Sequence, residues 1–231
     1  MKIFTIAQTL IVTTPLLISV PAKTLSHHAN NGKNIQLITH RVKSQSFKID
    51  THTSKVSWLA KKVTGAHNGG IAISYGKLDV QNEMAIDVSL HIDIRSITDA
   101  DLTDKDSNDK LVSTLKGETF FNSAKYPDAA FVSTSVVHAN GSQYSIKGKL
   151  TIKGITNEVS FPATIIINKN KIIATAKISV DRTKFDIKIR SKSFFENLGD
   201  KVIYDNFDLE ITLFANAEQV ISLKKRTAKP A

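Results

Sequence analysis

The run from Phe120 to Phe161, FFNSAKYPDAAFVSTSVVHANGSQYSIKGKLTIKGITNEVSF, decides the fold. Two alternating stretches flank Asn140-Gly141, a dipeptide suited to the positive-φ positions of a tight hairpin turn. The second stretch ends at Lys153-Gly154-Ile155, where glycine again permits a sharp reversal. The same period of two extends outward in both directions. Met84, Ile86, Val88, Leu90, Ile92 and Ile94 alternate with mostly polar residues, the pattern of a half-buried strand. Val56, Trp58 and Ala60 share this phasing, as do Tyr144, Ile146, Leu150 and Ile152. So do Ala174, Ala176, Ile178 and Val180, and Phe207, Leu209, Ile211 and Leu213. Turn signals between the runs, at Asn68-Gly69-Gly70, Asn140-Gly141 and Asn168-Lys169-Asn170, imply an all-β antiparallel sheet that closes on itself or stacks. One segment breaks the period: residues 106–116 start with capping residue types and space Leu111 and Leu115 four apart, predicting a short helix that ends near Gly117. A second short turn is expected at Leu198-Gly199.

The ends read differently from the middle. Lys2, an apolar stretch from Ile3 to Val20, and Val20-Pro21-Ala22 match a signal peptide cleaved after Ala22, so an exported, periplasmic or secreted protein is expected. Residues 23–46 read as a flexible linker, 47–215 as the domain and 216–231 as a basic tail. With no cysteine, the domain has no disulfide and must be held by its core. The net charge of +10 invites a nucleic-acid reading, but eight of the ten charges fall in residues 1–46 and 216–231. A nucleic-acid binder carries its basic stripe on the folded face, so no nucleic-acid partner is expected.

Several patterns imitate chemical sites. Asp99, Asp101, Asp104, Asp106 and Asp109 suggest a calcium loop, but no register supplies the glycine and glutamate that such a loop needs. The seven histidines lack metal-site spacing, and no metal or cofactor is expected. Gly65-Ala-His-Asn-Gly69-Gly70 lacks the lysine of a phosphate loop and reads as a tight turn. What remains is apolar. Large residues on inward phases, with Ala60, Gly148, Ala174 and Ala176 between them, tilt the reading toward a cavity, although plain core packing suits any one of them.

The wording of the chain adds a resemblance. The double Phe120-Phe121, then Lys125-Tyr126-Pro127, Gly148-Lys-Leu-Thr-Ile152 and Gly154-Ile-Thr156 resemble the YceI-like family. So do Ile49-Asp50 through Trp58, Val63 through Gly69, Ser107 through Leu111, Val180 through Phe185, and Ile203 through Leu209. Two departures stand out. Asn108-Asp-Lys-Leu111 replaces a family pattern of Arg-Asp-x-His-Leu, and Asp186 follows Phe185 where the family often has glycine. The resemblance implies an eight-stranded, antiparallel, lipocalin-like barrel with one or two short helices. It further implies non-enzymatic binding of an isoprenoid or other long-chain lipid, a polyprenyl chain or quinone, with at most transient membrane contact and room for a homodimer. The expected lumen residues are Trp58, Ile86, Val88, Leu90, Phe131, Ile146, Leu150, Ile178, Phe185, Phe207 and Leu209. Arg182, or else Lys184 or Lys153, is expected to meet a polar head. The competing readings are a structural or adhesion module with a filled barrel, and a lipid-modifying enzyme for which Asp181 is the acid to inspect.

Overall fold

The computed structural model describes residues 43–218. In chain order the elements are β1 (Ser44–Ile49), β2 (Lys55–Lys62), β3 (Gly65–Gln81), β4 (Met84–Asp93), α1 (Lys105–Lys116), β5 (Asp128–Asn140), β6 (Gln143–Ile152), β7 (Ile155–Asn168), β8 (Lys171–Asp181) and β9 (Ile203–Ala217). The expected leader lies outside the described residues, as do most of the linker and of the basic tail. β1 begins inside the stretch read as linker, and β9 ends inside the stretch read as tail.

Every pairing is antiparallel, and the sheet closes: β3 pairs with β4, then β4 through β9 in sequence order, and β9 returns through β2 to β3. β1 does not add a ninth position. It pairs with the far half of β3 (Phe47 opposite Leu78) and the far end of β9 (Lys48 opposite Asn216), while β2 pairs with their near halves. β1 and β2 are therefore one strand position interrupted at residues 50–54, and the barrel has eight positions. Every strand position has a neighbour on both sides, which shortens the free edge on which another chain could template, although β7 and β8 pair only over 163–168 and 171–176.

Two-residue loops make the hairpins. Asn82-Glu83 and Lys153-Gly154 have positive φ at both residues, the geometry that matches the twist of the flanking strands. Gly141-Ser142 joins β5 to β6, with Asn140 retained as the last strand pair. The turn expected at Asn68-Gly69-Gly70 is not there. Those residues lie within β3, and the reversal occurs at Val63-Thr64. Glycine is needed at 69 for a different reason: a Cβ would sit 1.9 Å from the Thr98 carbonyl oxygen and 2.9 Å from the Trp58 ring. The backbone at 98–100 lies on β3 there, with Thr98 N–H donating to Gly70 O (3.0 Å) and Ala100 N–H to Asn68 O (2.8 Å).

The alternation of β4 also breaks. Opposite β3, Asp79 faces Asp87 but Val80 faces Ala85, so Ile86 is the extra residue of a bulge. The bulge flips the phase: Ala85 is buried, Val88 and Leu90 are buried, and Ile86 is 44% exposed. Two long connections depart from the hairpin pattern. Residues 94–127 carry α1, whose N-terminus is capped by the Asp104 carboxylate accepting from Ser107 N–H (2.9 Å). Residues 182–202 carry short 3-10 turns at Arg182–Phe185 and Gly199–Lys201.

Candidate functional site: an apolar lumen closed by a helix

Inward side chains of the eight strand positions leave two cavities. The first, of about 90 Å³, is lined by Val88 and Leu90 of β4, Phe131 of β5, Ile146 of β6, Ala163 of β7 and Ala174 of β8, among others. The second, of about 130 Å³, lies toward α1 and is bounded by Trp58, Leu115, Phe120, Phe121 and Phe207. Val56, Ile92, Ala129, Leu150 and Leu209 line both, so the two cavities abut at a waist. Both are narrow, so a ligand that enters them is a slender apolar chain rather than a bulky ring system.

The closed end is built locally. Trp58 donates its indole N–H to Thr98 O (3.0 Å), so the ring is buried with its polar atom satisfied. Leu115 packs with Trp58 and Ile97, and with the partly buried Leu111, Phe120 and Phe121. The backbone holds the aromatic pair in place, with Phe121 N–H donating to Leu115 O (3.1 Å).

Of the expected lumen residues, Trp58, Val88, Leu90, Phe131, Ile146, Leu150, Ile178, Phe207 and Leu209 line one cavity or both. Ile86 does not, because the bulge turns it to solvent. Phe185 is buried beside Ile94, Ile152 and Ile187, and packs the barrel rather than facing free space. Sequence phasing missed Phe120, Phe121, Leu115 and Ile97 as lining residues. They come from the irregular connection, where alternation carries no signal.

Arg182 borders the second cavity, yet its fork points into the protein. It donates to the carbonyl oxygens of Ile187 (2.6 Å), Ile203 (2.9 Å) and Tyr204 (3.1 Å), and pairs with Asp205 (3.4 Å). Burial pushes its pKa down, opposed by Asp205 and Asp181. The guanidinium clamps the 182–202 connection to β9, so the expectation of a head-group contact is corrected: four of its five N–H donors are already used within the fold. Lys153 and Lys184 lie outside both cavity linings. Asp181 spends its carboxylate on the Thr183 N–H (2.9 Å) and hydroxyl (2.6 Å). Asp186 takes a left-handed conformation (φ 58°), which accounts for the glycine common in the family at that point.

Among the described residues, one trio has metal-ligand atom types close together: His67, Asp99 and Asp101, within 4.8 Å of one another. Spacing along the chain could not reveal it, since β3 supplies the histidine and the 94–127 connection the acids. The direct bonds are His67 Nδ1 to Asp101 (2.9 Å), Asn68 N–H to Asp101 (2.8 Å) and Leu102 N–H to Asp99 (2.9 Å). The two bonds to Asp101 fasten the connection onto β3, while the bond to Asp99, together with one from Asn108 Nδ2 (3.2 Å), ties the connection to itself.

The model of the family described as YceI-like domain matches residues 47–215. Protein YceI of Escherichia coli O6:H1 is 36% identical over 88 residues, which is 38% of this chain and 42% of that protein. A UPF0312 protein of Yersinia pestis is 34% identical over 87 residues, 38% of this chain and 41% of its own length. The matched stretch thus spans about two fifths of these curated relatives. Among solved structures, BcnA of Burkholderia cenocepacia superposes with a TM-score of 0.57 at 25% identity, covering 73% of this chain and 99% of that one. A polyisoprenoid-binding domain from Saccharophagus degradans, at 13% identity and a TM-score of 0.56, covers 75% of this chain and 99% of its own, and shares the fold.

Proposed function

This chain belongs to the YceI-like family, and we propose that its barrel binds a long apolar isoprenoid chain along the lumen, as a carrier rather than an enzyme. The observation that carries this reading is the pair of abutting cavities with walls that are apolar almost throughout. Among their described lining residues Arg182 alone is charged, and no carboxylate or imidazole faces a bound chain. A polyprenyl tail gains about 25 cal/mol for each Å² removed from water, and it is apolar along its whole length. The name of the Saccharophagus degradans neighbour supports the ligand class. The leader-like N-terminus supports export to the periplasm or beyond, where a hydrophobic ligand needs a dry compartment.

The test is native mass spectrometry of detergent-free protein, followed by organic extraction. A bound apolar mass released only on denaturation is expected. Ala174→Trp, which places an indole in the first cavity, is expected to keep the fold and lose that mass. Wild-type protein that comes through bare and ignores added polyprenols and quinones overturns the proposal in favour of a filled structural barrel.

A further inference from the structure

We propose that the 188–201 segment is a docking loop for an anionic lipid surface, set beside the wall of the second cavity. Phe194 and Phe195 are adjacent, 51% and 48% exposed, and no core residue covers them. The loop that presents them is held in shape. Phe194 and Phe195 N–H both donate to Ser191 O (3.1 and 3.0 Å), and Ser191 is fully buried. Ser193 Oγ donates to Asp205 (2.6 Å), and Ile203 N–H donates to Arg190 O (3.0 Å). Two adjacent aromatic rings held half exposed on an ordered loop leave apolar area in water that only an external partner can cover.

Place and charge identify that partner. Asp205 and Ile203 flank Tyr204, which is half exposed and also lines the second cavity, so the Phe pair stands next to a residue that belongs both to the surface and to the cavity wall. Val63, exposed at the β2–β3 turn, adjoins this point through its N–H bond to Val202 O (3.1 Å). The same segments are rich in cations. Lys188 sits over the Phe194 ring (5.1 Å) and pairs with Asp186 (3.0 Å). Arg190, Lys192 and Lys201 of the loop, and Lys61 and Lys62 beside Val63, are without an ion pair among the described residues. The loop's remaining acids are Glu196 and Asp200. Exposed aromatics inside a set of unpaired lysines and arginines match an interfacial anchor: rings enter the acyl boundary while cations meet anionic head groups. No described helix is long and apolar enough to cross a membrane. Docking there would bring this wall of the cavity against the bilayer, from which an isoprenoid could enter the lumen without crossing water.

The docking role rests on the proposed lipid-carrier function, and two readouts separate them. The full chain and its Phe194→Ser/Phe195→Ser variant are floated with vesicles of phosphatidylglycerol and phosphatidylethanolamine, both carrying the same basic tails. The variant is expected to melt with the wild type, to partition onto vesicles about tenfold less, and to draw a fluorescent polyprenol out of vesicles correspondingly more slowly. Uptake of the same polyprenol from an ethanol dispersion is expected to be unchanged. A Lys192→Glu/Lys201→Glu variant is expected to lose docking in the same way, and neutral phosphatidylcholine vesicles to capture the wild type weakly. Equal partitioning of the Phe variant and the wild type onto anionic vesicles overturns the docking role. Wild-type protein that docks but takes up no polyprenol by either route overturns the carrier function and leaves docking standing.

Discussion

Replacing Arg182 with methionine separates a structural clamp from a ligand contact. The substitution keeps a flexible stem of similar length and removes bonds to the Ile187, Ile203 and Tyr204 carbonyls and to Asp205. Hydrogen bonds from charged donors contribute about 1.5–3 kcal/mol each, and removing one partner of a buried pair costs about 3–5 kcal/mol. The Asp205 side chain keeps 24% of its exposure and is bonded by Ser193, so the stranded carboxylate is partly solvated and the lower end applies. The expected loss is about 3 kcal/mol. A domain of this size loses roughly 2–4 °C for each kcal/mol, so melting followed by circular dichroism should fall by about 10 °C. Arg182→Lys should recover only part, since one ammonium cannot span the three carbonyls that the guanidinium fork reaches. A methionine variant that melts with the wild type yet releases its lipid would refute the clamp and restore the head-group role.

Gly69→Ala should destabilise by about 1–3 kcal/mol through overpacking, because the new Cβ meets Thr98 and Trp58. Trp58 is the single tryptophan, so the displacement should appear as a red shift in intrinsic fluorescence. Ile86→Ser should change stability by less than about 0.5 kcal/mol in urea unfolding, whereas a large loss would mean that the bulge is misplaced. Acid should destabilise the fold. Asp93 is held low by the Arg95 side chain and Asp104 by the Ser107 hydroxyl and N–H. Burial of Asp205 acts to raise its pKa and is outweighed by Ser191, Ser193 and Arg182. Depressed carboxylates stabilise fully above their unfolded pKa, about 4, and lose that contribution as pH falls through the folded values. Melting temperature should therefore be level from about pH 7 to 5 and drop below about pH 4, less steeply in Asp205→Asn. A profile that is flat to about pH 2 would contradict these assignments.

The barrel was legible because its strands obey a period of two and its hairpins use residues that tolerate positive φ. Phasing failed where a bulge or a close approach replaces regular geometry. Ile86 continues the alternation on paper, but an inserted residue shifts the pairing, and nothing in the sequence marks that insertion. Gly69-Gly70 has the composition of a turn, yet the glycines admit the backbone at Thr98, a contact between segments far apart in the chain. Long-range geometry explains the remaining gaps too. Arg182 reads as a free cation at a strand end until Ile187, Ile203 and Tyr204 are brought around it. The helix and the double phenylalanine were visible, but their role in closing the lumen required the path of the 94–127 connection.

The lumen is not a packing defect spread through the core. Where the walls approach, they do so to the limit of contact. A Cβ at Gly148 would lie 2.5 Å from the Phe131 ring, and one at Gly76 would lie 2.6 Å from Ile49. Around the first cavity, alanines interrupt the large side chains: Ala129, Ala163, Ala174 and Ala176 border it. At about 24 cal/mol per Å³ of void, cavities of about 90 and 130 Å³ cost on the order of 5 kcal/mol when empty. Four larger side chains would remove most of that cost without adding a polar group. The stability is instead held at the ends, by the Trp58–Thr98 bond, the capped helix and the Arg182 clamp, and these leave the bore free of polar cross-links. Such a division suits a protein whose missing core atoms are supplied by an apolar ligand, because an occupant recovers the void energy that the walls forgo.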